Sequence, residues 1–276
     1  MVKSDIMSPL PQLPHLFVFD VDGTLLSSRL AILPSTRESI GQLLGHGHRV
    51  ALASARPPRS VAQLSGELLG EVVEMIALNG AVIGRGDDLY ADYPLPGDAA
   101  AAALAHARSE GLKINVYSAL EWFVEEEAPD IMAEARIVGF APTRVPDLLD
   151  ILKRPVHKLL CLGGQSQVSS FRDWVLESGF QLEATLSKAT YCEVVRRGVS
   201  KAGAVETLAE SLGFATERVV AFGDGENDLA MITAAGIGVA MGNAVPAVKQ
   251  SAQLVTADND SDGIAAALAG LGFVAS

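Results

Sequence analysis

The sequence predicts an α/β fold, a doubly wound parallel sheet interrupted by an inserted α+β module. Short apolar runs alternate with amphipathic helical segments in the first and last parts of the chain, which is typical of a parallel sheet covered by helices. Several of these runs end in acidic or polar residues. Between them, paired strands predict a mainly antiparallel sheet. We therefore expect a core of residues 1–84 plus 193–276 and an inserted α+β domain of residues 85–192.

The first predicted strand comprises the apolar run 16–19 and leads directly into Asp20 and Asp22. Side chains alternate along a strand, so both carboxylates can project to one side, and Gly23 then permits a sharp turn. Two neighbouring carboxylates resist joint ionisation unless a cation or a shared proton relieves them. The stretch therefore indicates a metal site, although the same D-x-D-G pattern also occurs in solvent-exposed turns that follow a strand.

The rest of the first part continues the alternation of helix and strand. Ser35 and Glu38 match a capping box and predict a helix that ends near Gly45. Polar residues again follow the next two apolar runs, with Ser54 after one and Asn79 after the other. The expected elements are a strand over 50–53, a helix over 58–69 and a strand over 75–78.

The inserted module begins after a turn-rich joint at residues 84–88. Its hydrophobic patterns predict helices over 98–110 and 168–177, with a further helix between the second and third strands. The expected strands are 113–117, 122–126, 157–162, 181–186 and 191–195.

The core pattern resumes with a helix from Lys201 to about residue 212. A strand over 218–222 ends in the acidic turn Gly223–Asp228, and a strand over 237–241 ends at Gly242 and Asn243. A helix with Pro246 in its first turn, a short strand at 254–255 and a helix after residue 263 complete the expectation.

Composition excludes several classes of protein. The 276 residues are 49% hydrophobic and 20% charged, as in ordinary globular proteins. The net charge of −12 argues against nucleic-acid binding, and no apolar stretch approaches the ~18 residues of a membrane span. Residues 1–15 are expected to form a loose extension without a signal peptide, so we expect a cytoplasmic protein whose two cysteines are reduced. The sequence indicates no oligomeric state.

The polar residues that follow the predicted strands can share one site, because the carboxyl ends of parallel strands meet at one edge of the sheet. Carboxylates without histidine or thiolate partners favour Mg²⁺ over zinc. A cation and a hydroxyl beside them would hold the oxygens of a phosphoryl group, while a carboxylate could act as the nucleophile. The residues concerned are Asp20, Asp22, Ser54, Asn79, Lys201, Asp224 and Asp228.

The motifs D-V-D-G-T at residues 20–24 and G-D-G-E-N-D at 223–228, with Ser54 and Lys201 between them in order, resemble those of the haloacid dehalogenase (HAD) superfamily of phosphatases. The chain is similar to the Cof-like branch, which carries a large (C2-type) inserted cap on a Rossmann-like core. Ala55 departs from the glycine that is usual in these relatives.

This resemblance implies a role for each matching residue. Asp20 would be the nucleophile that forms an aspartyl phosphate, and Asp22 would be the general acid and base, with its backbone carbonyl on Mg²⁺. Lys201 would steady nucleophile and phosphate. The implied metal ligands are Asp20, Asp22, Asp224, Asp228 and Asn227, and the implied substrate-binding residues are Ser54, Arg56, Asn79 and Asn243.

Three functions remain open at this point. The first is a Mg²⁺-dependent phosphatase acting on a small phosphorylated metabolite such as a sugar phosphate. The second is a phosphomutase of the same fold, which would need a basic cap. Residues 85–189 contain 10 Lys or Arg against 16 Asp or Glu, which favours hydrolysis. The third is a phosphometabolite-binding protein without catalysis. It is disfavoured because each motif position needed for catalysis carries a residue of the required type.

Overall fold

The computed structural model describes residues 13–66, 70 and 72–275. The expected loose extension lies almost wholly outside the described residues, as do positions 67–69 of the expected helix 58–69. The chain divides into two compact units. The first unit contains residues 1–53, 64–74 and 205–276, and the second contains 54–63 and 75–204. The boundaries expected from the sequence, 84/85 and 192/193, stay a prediction.

The described residues contain fourteen strands and nine α-helices. The strands are β1 (Leu16–Asp20), β2 (Arg49–Ala53), β3 (Glu74–Ala77), β4 (Val82–Arg85), β5 (Asp88–Asp92), β6 (Lys113–Tyr117), β7 (Trp122–Val124), β8 (Thr143–Arg144), β9 (Lys158–Leu162), β10 (Leu182–Lys188), β11 (Tyr191–Arg196), β12 (Val219–Gly223), β13 (Ile237–Ala240) and β14 (Leu254–Val255). The helices are α1 (Pro34–Gly45), α2 (Pro58–Leu64), α3 (Gly97–Ser109), α4 (Pro129–Val138), α5 (Gln165–Glu177), α6 (Lys201–Leu212), α7 (Leu229–Ala234), α8 (Pro246–Ser251) and α9 (Gly263–Gly270).

The first unit is built on five strands in the order β14-β13-β12-β1-β2, and every neighbouring pair is parallel. Every residue of β1 is buried, as expected for a strand covered on both faces. In register, Phe19 lies beside Phe222, and their rings stack with centroids 4.9 Å apart. The carboxyl ends of β1 and β12 therefore finish side by side.

Helix α1 starts differently from the capping box that the sequence predicted, so that prediction was wrong. The residue before the helix is Leu33, which makes no side-chain cap, and Pro34 occupies the first turn. The Ser35 hydroxyl instead donates to the carboxylate of Asp262. A proline in the first turn needs no N–H partner, so the helix can begin without the box.

The second unit contains a hairpin where the sequence predicted only a turn-rich joint. Strand β4 pairs antiparallel with β3 and with β5, and Arg85 lies opposite Asp88. A Cβ on Gly84 would lie 2.3 Å from the Asp88 carbonyl oxygen, so only glycine allows the two strands to approach this closely. The joint is therefore a tight turn within a sheet.

The second unit also contains a six-stranded sheet in the order β10-β11-β9-β6-β7-β8, with antiparallel pairs except β7 with β8. One face packs its apolar side chains against α3 and α5. On that face Cys161 and Cys192 are buried free thiols, as expected. The predicted fold class, a parallel α/β core with an α+β insertion, is confirmed.

No helix within the described ranges is long and apolar enough to cross a membrane.

Two histidines of the first unit lie among aromatic rings. The backbone N–H of His15 donates to Nδ1 of His48 at 3.1 Å, so Nδ1 must be unprotonated. The His48 ring packs against Phe17 and Phe273, with centroids 5.2 and 5.7 Å away. Burial lowers the pKa of both histidines below 6.5, and for His48 the charge of His15 adds to this effect. Folding therefore favours the neutral rings.

We predict that the protein loses stability as the pH falls from 8 to 5.5, and that His48→Gln reduces this loss. Because the pKa of both histidines is lower in the folded state, the unfolded chain binds more protons as the pH falls below 6.5. The stability that the two neutral rings contribute is therefore fully present above pH 6.5 and is lost below it. Thermal unfolding at several pH values measures the effect. The exposed neighbour His46 provides the comparison: it contributes only the smallest of the three effects that lower the pKa of His48, so His46→Gln should change the slope less than His48→Gln does. An equal change of slope for the two variants would contradict the prediction.

Candidate active site

Three carboxylates of the first unit converge where β1 and β12 end. Asp20 is the last residue of β1 and is 6% exposed, and Asp224 follows the last residue of β12. One carboxylate oxygen from each of Asp20, Asp224 and Asp228 lies within 4.8 Å of the other two. The parallel register thus brings together residues more than 200 positions apart, as the sequence pattern predicted.

The Asp224 carboxylate is held by two side chains. The Thr24 hydroxyl donates to Oδ1 at 3.0 Å, and Asn243 Nδ2 donates to Oδ2 at 3.2 Å. The same Asn243 amide also reaches the carbonyl oxygen of Gly23 at 2.8 Å. Asn243 therefore ties the loop after β1 to the loop after β12. The sequence suggested Asn243 as a substrate-binding residue, and that role stays a prediction. Its contacts here orient an acidic side chain.

Asp228 shapes the loop that carries Asp224. Its Oδ2 accepts the backbone N–H groups of Asp224 and Gly225, both at 3.0 Å, and the side chain is 1% exposed. The short turn Glu226–Asp228 places the carboxylate back over the end of β12. A Cβ on Gly223 would lie 2.6 Å from the Asp228 Cβ, which explains the glycine at the end of the strand.

Gly23 permits the closest approach within the site. Its φ is +89°, and a Cβ there would lie 2.4 Å from Asp224 Oδ2. The loop around it is anchored by the N–H of Leu25, which donates to the Asp20 carbonyl at 3.1 Å. The glycine of the D-x-D-G motif is therefore required both by its left-handed backbone and by the space that the neighbouring carboxylate occupies.

Two further residues of the predicted metal site are exposed. The Asp22 side chain is exposed, and its backbone forms an isolated bridge with Leu26. Asn227 is exposed in the short turn after β12. Within the described ranges, the close acidic cluster contains Asp20, Asp224 and Asp228 and does not include the Asp22 carboxylate.

The second unit contains Ser54, which follows directly after β2. Ser54 is 1% exposed, and its N–H donates to the Ile76 carbonyl at 2.8 Å. Its carbonyl accepts the N–H of Asn79 at 3.0 Å, and its Oγ accepts the N–H of Arg56 at 3.1 Å. Among the described residues, no acceptor is paired with the N–H of Ala55. A fixed hydroxyl and an adjacent N–H are therefore available as hydrogen-bond donors.

Two other predicted site residues of the second unit are Asn79, in the turn after β3, and Lys201, at the start of α6. Asn79 has a left-handed backbone, and its Nδ2 donates to Glu193 at 2.8 Å. A Cβ on Gly80 would lie 2.5 Å from the Ser200 carbonyl, so this turn packs closely against the start of α6. Lys201, the first residue of α6, is 1% exposed. Arg56 is also buried, at 8% exposure.

Sequence reasoning missed several residues that the structure places around these groups. Thr24 belongs to the recognised motif, but only the structure shows that its hydroxyl holds Asp224. Lys158 and Glu193 are buried ionisable residues in otherwise apolar strands, and they contact Ala55 and Asn79, respectively. A charged residue inside an apolar run was the available signal for both.

Comparison with known proteins identifies the family. Residues 17–268 match the family of haloacid dehalogenase-like hydrolases. The chain belongs to this family. As expected from its motifs, it is a HAD-type phosphatase, so the recognised superfamily is confirmed, while the Cof-like branch stays a prediction.

Relatives and solved structures of the family cover nearly the whole chain. Two 5-amino-6-(5-phospho-D-ribitylamino)uracil phosphatases of Bacillus subtilis are 30% and 31% identical, over 91% and 92% of this chain and 95% and 94% of their own lengths. A haloacid dehalogenase-like hydrolase from Bacteroides thetaiotaomicron superimposes with a TM-score of 0.87 at 30% identity, covering 94% of this chain and all of that chain.

The acidic cluster of this HAD-type phosphatase fits a hard divalent cation. Its donors are carboxylate oxygens from three aspartates, and histidine and cysteine are absent from the cluster within the described ranges. Oxygen donors of this kind suit Mg²⁺, and hydrogen bonds hold the carboxylates of Asp224 and Asp228 in fixed orientations.

We predict that Gly23→Ala weakens Mg²⁺ binding about 10- to 100-fold, because the new methyl group would displace the Asp224 carboxylate. Isothermal titration with Mg²⁺ measures the affinity. Gly41→Ala in α1 is the matched control, since a Cβ there meets nothing within 4 Å and should be neutral or stabilising by up to about 1 kcal/mol. Equal Mg²⁺ affinities for the two variants would contradict the prediction.

Proposed function

We propose that this protein is a Mg²⁺-dependent phosphatase that hydrolyses a small phosphorylated metabolite through an aspartyl phosphate on Asp20. The observation that carries the proposal is the convergence of Asp20, Asp224 and Asp228 at the ends of two adjacent parallel strands. Bound Mg²⁺ would be held by these carboxylates, with the Asp22 carbonyl and Asn227 as further ligands implied by the family, and would neutralise charge on the phosphoryl oxygens.

Asp20 would act as the nucleophile. Its position at the end of a fully buried strand fixes the backbone, so that little ordering is needed before attack. One carboxylate oxygen forms a bond to phosphorus as the bond from phosphorus to the leaving oxygen breaks. In the second step a water oxygen attacks phosphorus, the bond to Asp20 breaks, and inorganic phosphate leaves.

Asp22 would serve both steps as the proton carrier. As the acid it gives its proton to the leaving oxygen, and as the carboxylate it then takes a proton from the attacking water. Its exposed side chain supports this role, because it can exchange protons with solvent between turnovers. Because Asp20 ends β1 and Asp22 lies two positions on, in the loop that follows, the nucleophile can stay buried while the acid stays accessible.

Ser54 and its neighbours would bind the phosphoryl group. The Ser54 hydroxyl and the Ala55 N–H are the two adjacent donors of this loop, and neutral donors of this kind stabilise phosphoryl oxygens. For Lys201 we propose the role implied by the family, which is to steady nucleophile and phosphate. For Arg56, Asn79 and Asn243 we propose contacts with the substrate.

The substrate class we propose is a phosphorylated sugar or sugar alcohol. Two relatives at 30% and 31% identity are named for a substrate with a phosphorylated ribityl chain, which supports this choice. The acidic balance of residues 85–189 supports transfer to water rather than retention of a bisphosphate, which would need several basic side chains.

We predict that Asp20→Asn lowers turnover at least about a thousandfold, because the amide cannot form the acyl phosphate. Phosphate release with Mg²⁺ measures this, and acid quenching should trap a phosphorylated protein with the wild type alone. Asp87→Asn, a charge-matched change in an exposed turn, should leave both readouts unchanged. A phosphoenzyme formed by the Asp20→Asn variant would assign the nucleophile elsewhere.

We predict further that a panel of sugar phosphates, nucleotides and phosphorylated cofactors yields a preferred substrate among the sugar or sugar-alcohol phosphates, and that EDTA abolishes its hydrolysis. Transfer of the phosphoryl group to a second sugar in place of phosphate release would instead indicate a phosphomutase. Saturable binding without either product would indicate a binding protein.

A further inference from the structure

Lys158, the first residue of β9, is a buried lysine with a specific set of partners in the second unit. It is 2% exposed. Its Nζ donates to the Ala55 carbonyl at 2.7 Å, lies 3.4 Å from Glu193 Oε2 and sits 4.6 Å from the centre of the Tyr117 ring. Tyr117 is the cross-strand neighbour of Lys158, so its ring supports the ammonium group from within the sheet.

The bond to Ala55 reaches Ser54 through a single peptide group. The carbonyl of Ala55 and the N–H of Arg56 belong to the same planar unit. Lys158 holds the carbonyl end of this unit, and the N–H end donates to Ser54 Oγ at 3.1 Å. A cation on the carbonyl also polarises the N–H, because consecutive hydrogen bonds strengthen one another. Lys158 therefore orients the hydroxyl of Ser54 through two hydrogen bonds.

Glu193 adds a second connection to the same serine. Its Oε2 accepts from Asn79 Nδ2 at 2.8 Å, and the backbone N–H of Asn79 donates to the Ser54 carbonyl at 3.0 Å. Glu193 itself is 6% exposed and forms an ion pair with the Lys158 ammonium group on the neighbouring strand. The ion pair of Lys158 and Glu193 is thus connected to two groups of Ser54. Lys158 is connected to its Oγ through the peptide group after Ala55, and Glu193 is connected to its carbonyl through Asn79.

A role in stability alone does not account for this arrangement. A buried ion pair seldom stabilises a fold more than apolar side chains of similar size, since desolvation offsets its attraction. The opposite face of the same sheet is filled with apolar side chains. We propose that Lys158 and Glu193 are positioning residues that hold the Ser54 hydroxyl and the Ala55 N–H in place for the phosphoryl group. This inference rests on the proposed phosphate-binding role of Ser54.

The test uses inorganic phosphate as the probe, titrated against the full-length protein in the presence of Mg²⁺. Lys158→Met should weaken phosphate binding about tenfold, the effect of losing a charge-assisted hydrogen bond. Lys158→Arg, which keeps the donor, should recover part of the affinity. Lys113→Met is the matched control, because Lys113 pairs with Asp130 at 2.8 Å and leaves the loop untouched. Equal affinities for Lys158→Met and the wild type would overturn the proposal.

A double-mutant cycle with Ser54→Ala separates positioning from general damage. If Lys158 acts through Ser54, Lys158→Met should cost clearly less affinity once Ser54 is alanine, and the cost that remains would come from the Ala55 N–H. Independent, multiplying effects would overturn the proposal. If Lys158→Met does not fold, Glu193→Gln replaces it in the same cycle with Ser54→Ala. Coupled effects would again support the proposal, and independent effects would overturn it. A Ser54→Ala variant that binds phosphate normally would instead refute the proposed role of Ser54, which distinguishes the two failures.

Discussion

The parallel pairing of β1 with β12 is the constraint on which the site depends. With Phe19 beside Phe222, the next residues along both strands are Asp20 and Gly223, and Asp224 follows at once. Three carboxylates within 4.8 Å repel one another, and this repulsion opposes folding. The stacked rings and buried strands beneath them offset that cost, so the core stabilises a site that is unfavourable on its own.

Hydrogen bonds around the acidic cluster do more than satisfy the carboxylates. Thr24 and Asn243 fix one of them, and two backbone N–H groups fix another. The orientation of these carboxylates is therefore set by the folded chain, and the reaction proposed above would need little reorganisation of them. The same bonds explain why glycine recurs beside the acids, since each close approach leaves no room for a side chain.

Much of this could be predicted from the sequence, because the motifs are local and the sheet is regular. The buried strands, their order along the chain and the acidic turns at their ends all follow from the apolar runs and from the glycine and polar residues that end each run. The grouping of Asp20 with Asp224 followed from the rule that parallel strands end at one edge. The hairpin β4–β5 was missed because glycine and aspartate, which permit its close turn, are also the residues of open loops.

Contacts between distant polar side chains could not be predicted. The Ser35 hydroxyl had a local partner in the capping pattern, yet it bonds to Asp262, more than 200 residues away. Asn79 could be placed after a strand, but its amide donates to Glu193, which the sequence presents only as one acid in an apolar strand. Such pairs depend on side-chain directions that are settled only when the elements pack.

The bond from Lys158 to Ala55 bears on how members of such a family diversify. A recombination event that exchanged residues 85–192 with those of a relative would replace Lys158 and keep Ala55, Asn79 and Glu193. The incoming segment would have to supply a cation at the same place on its sheet, or the loop after β2 would lose one of its supports. The set of residues that must stay compatible is then larger than the predicted insertion and includes the short stretch from residue 54 to 63.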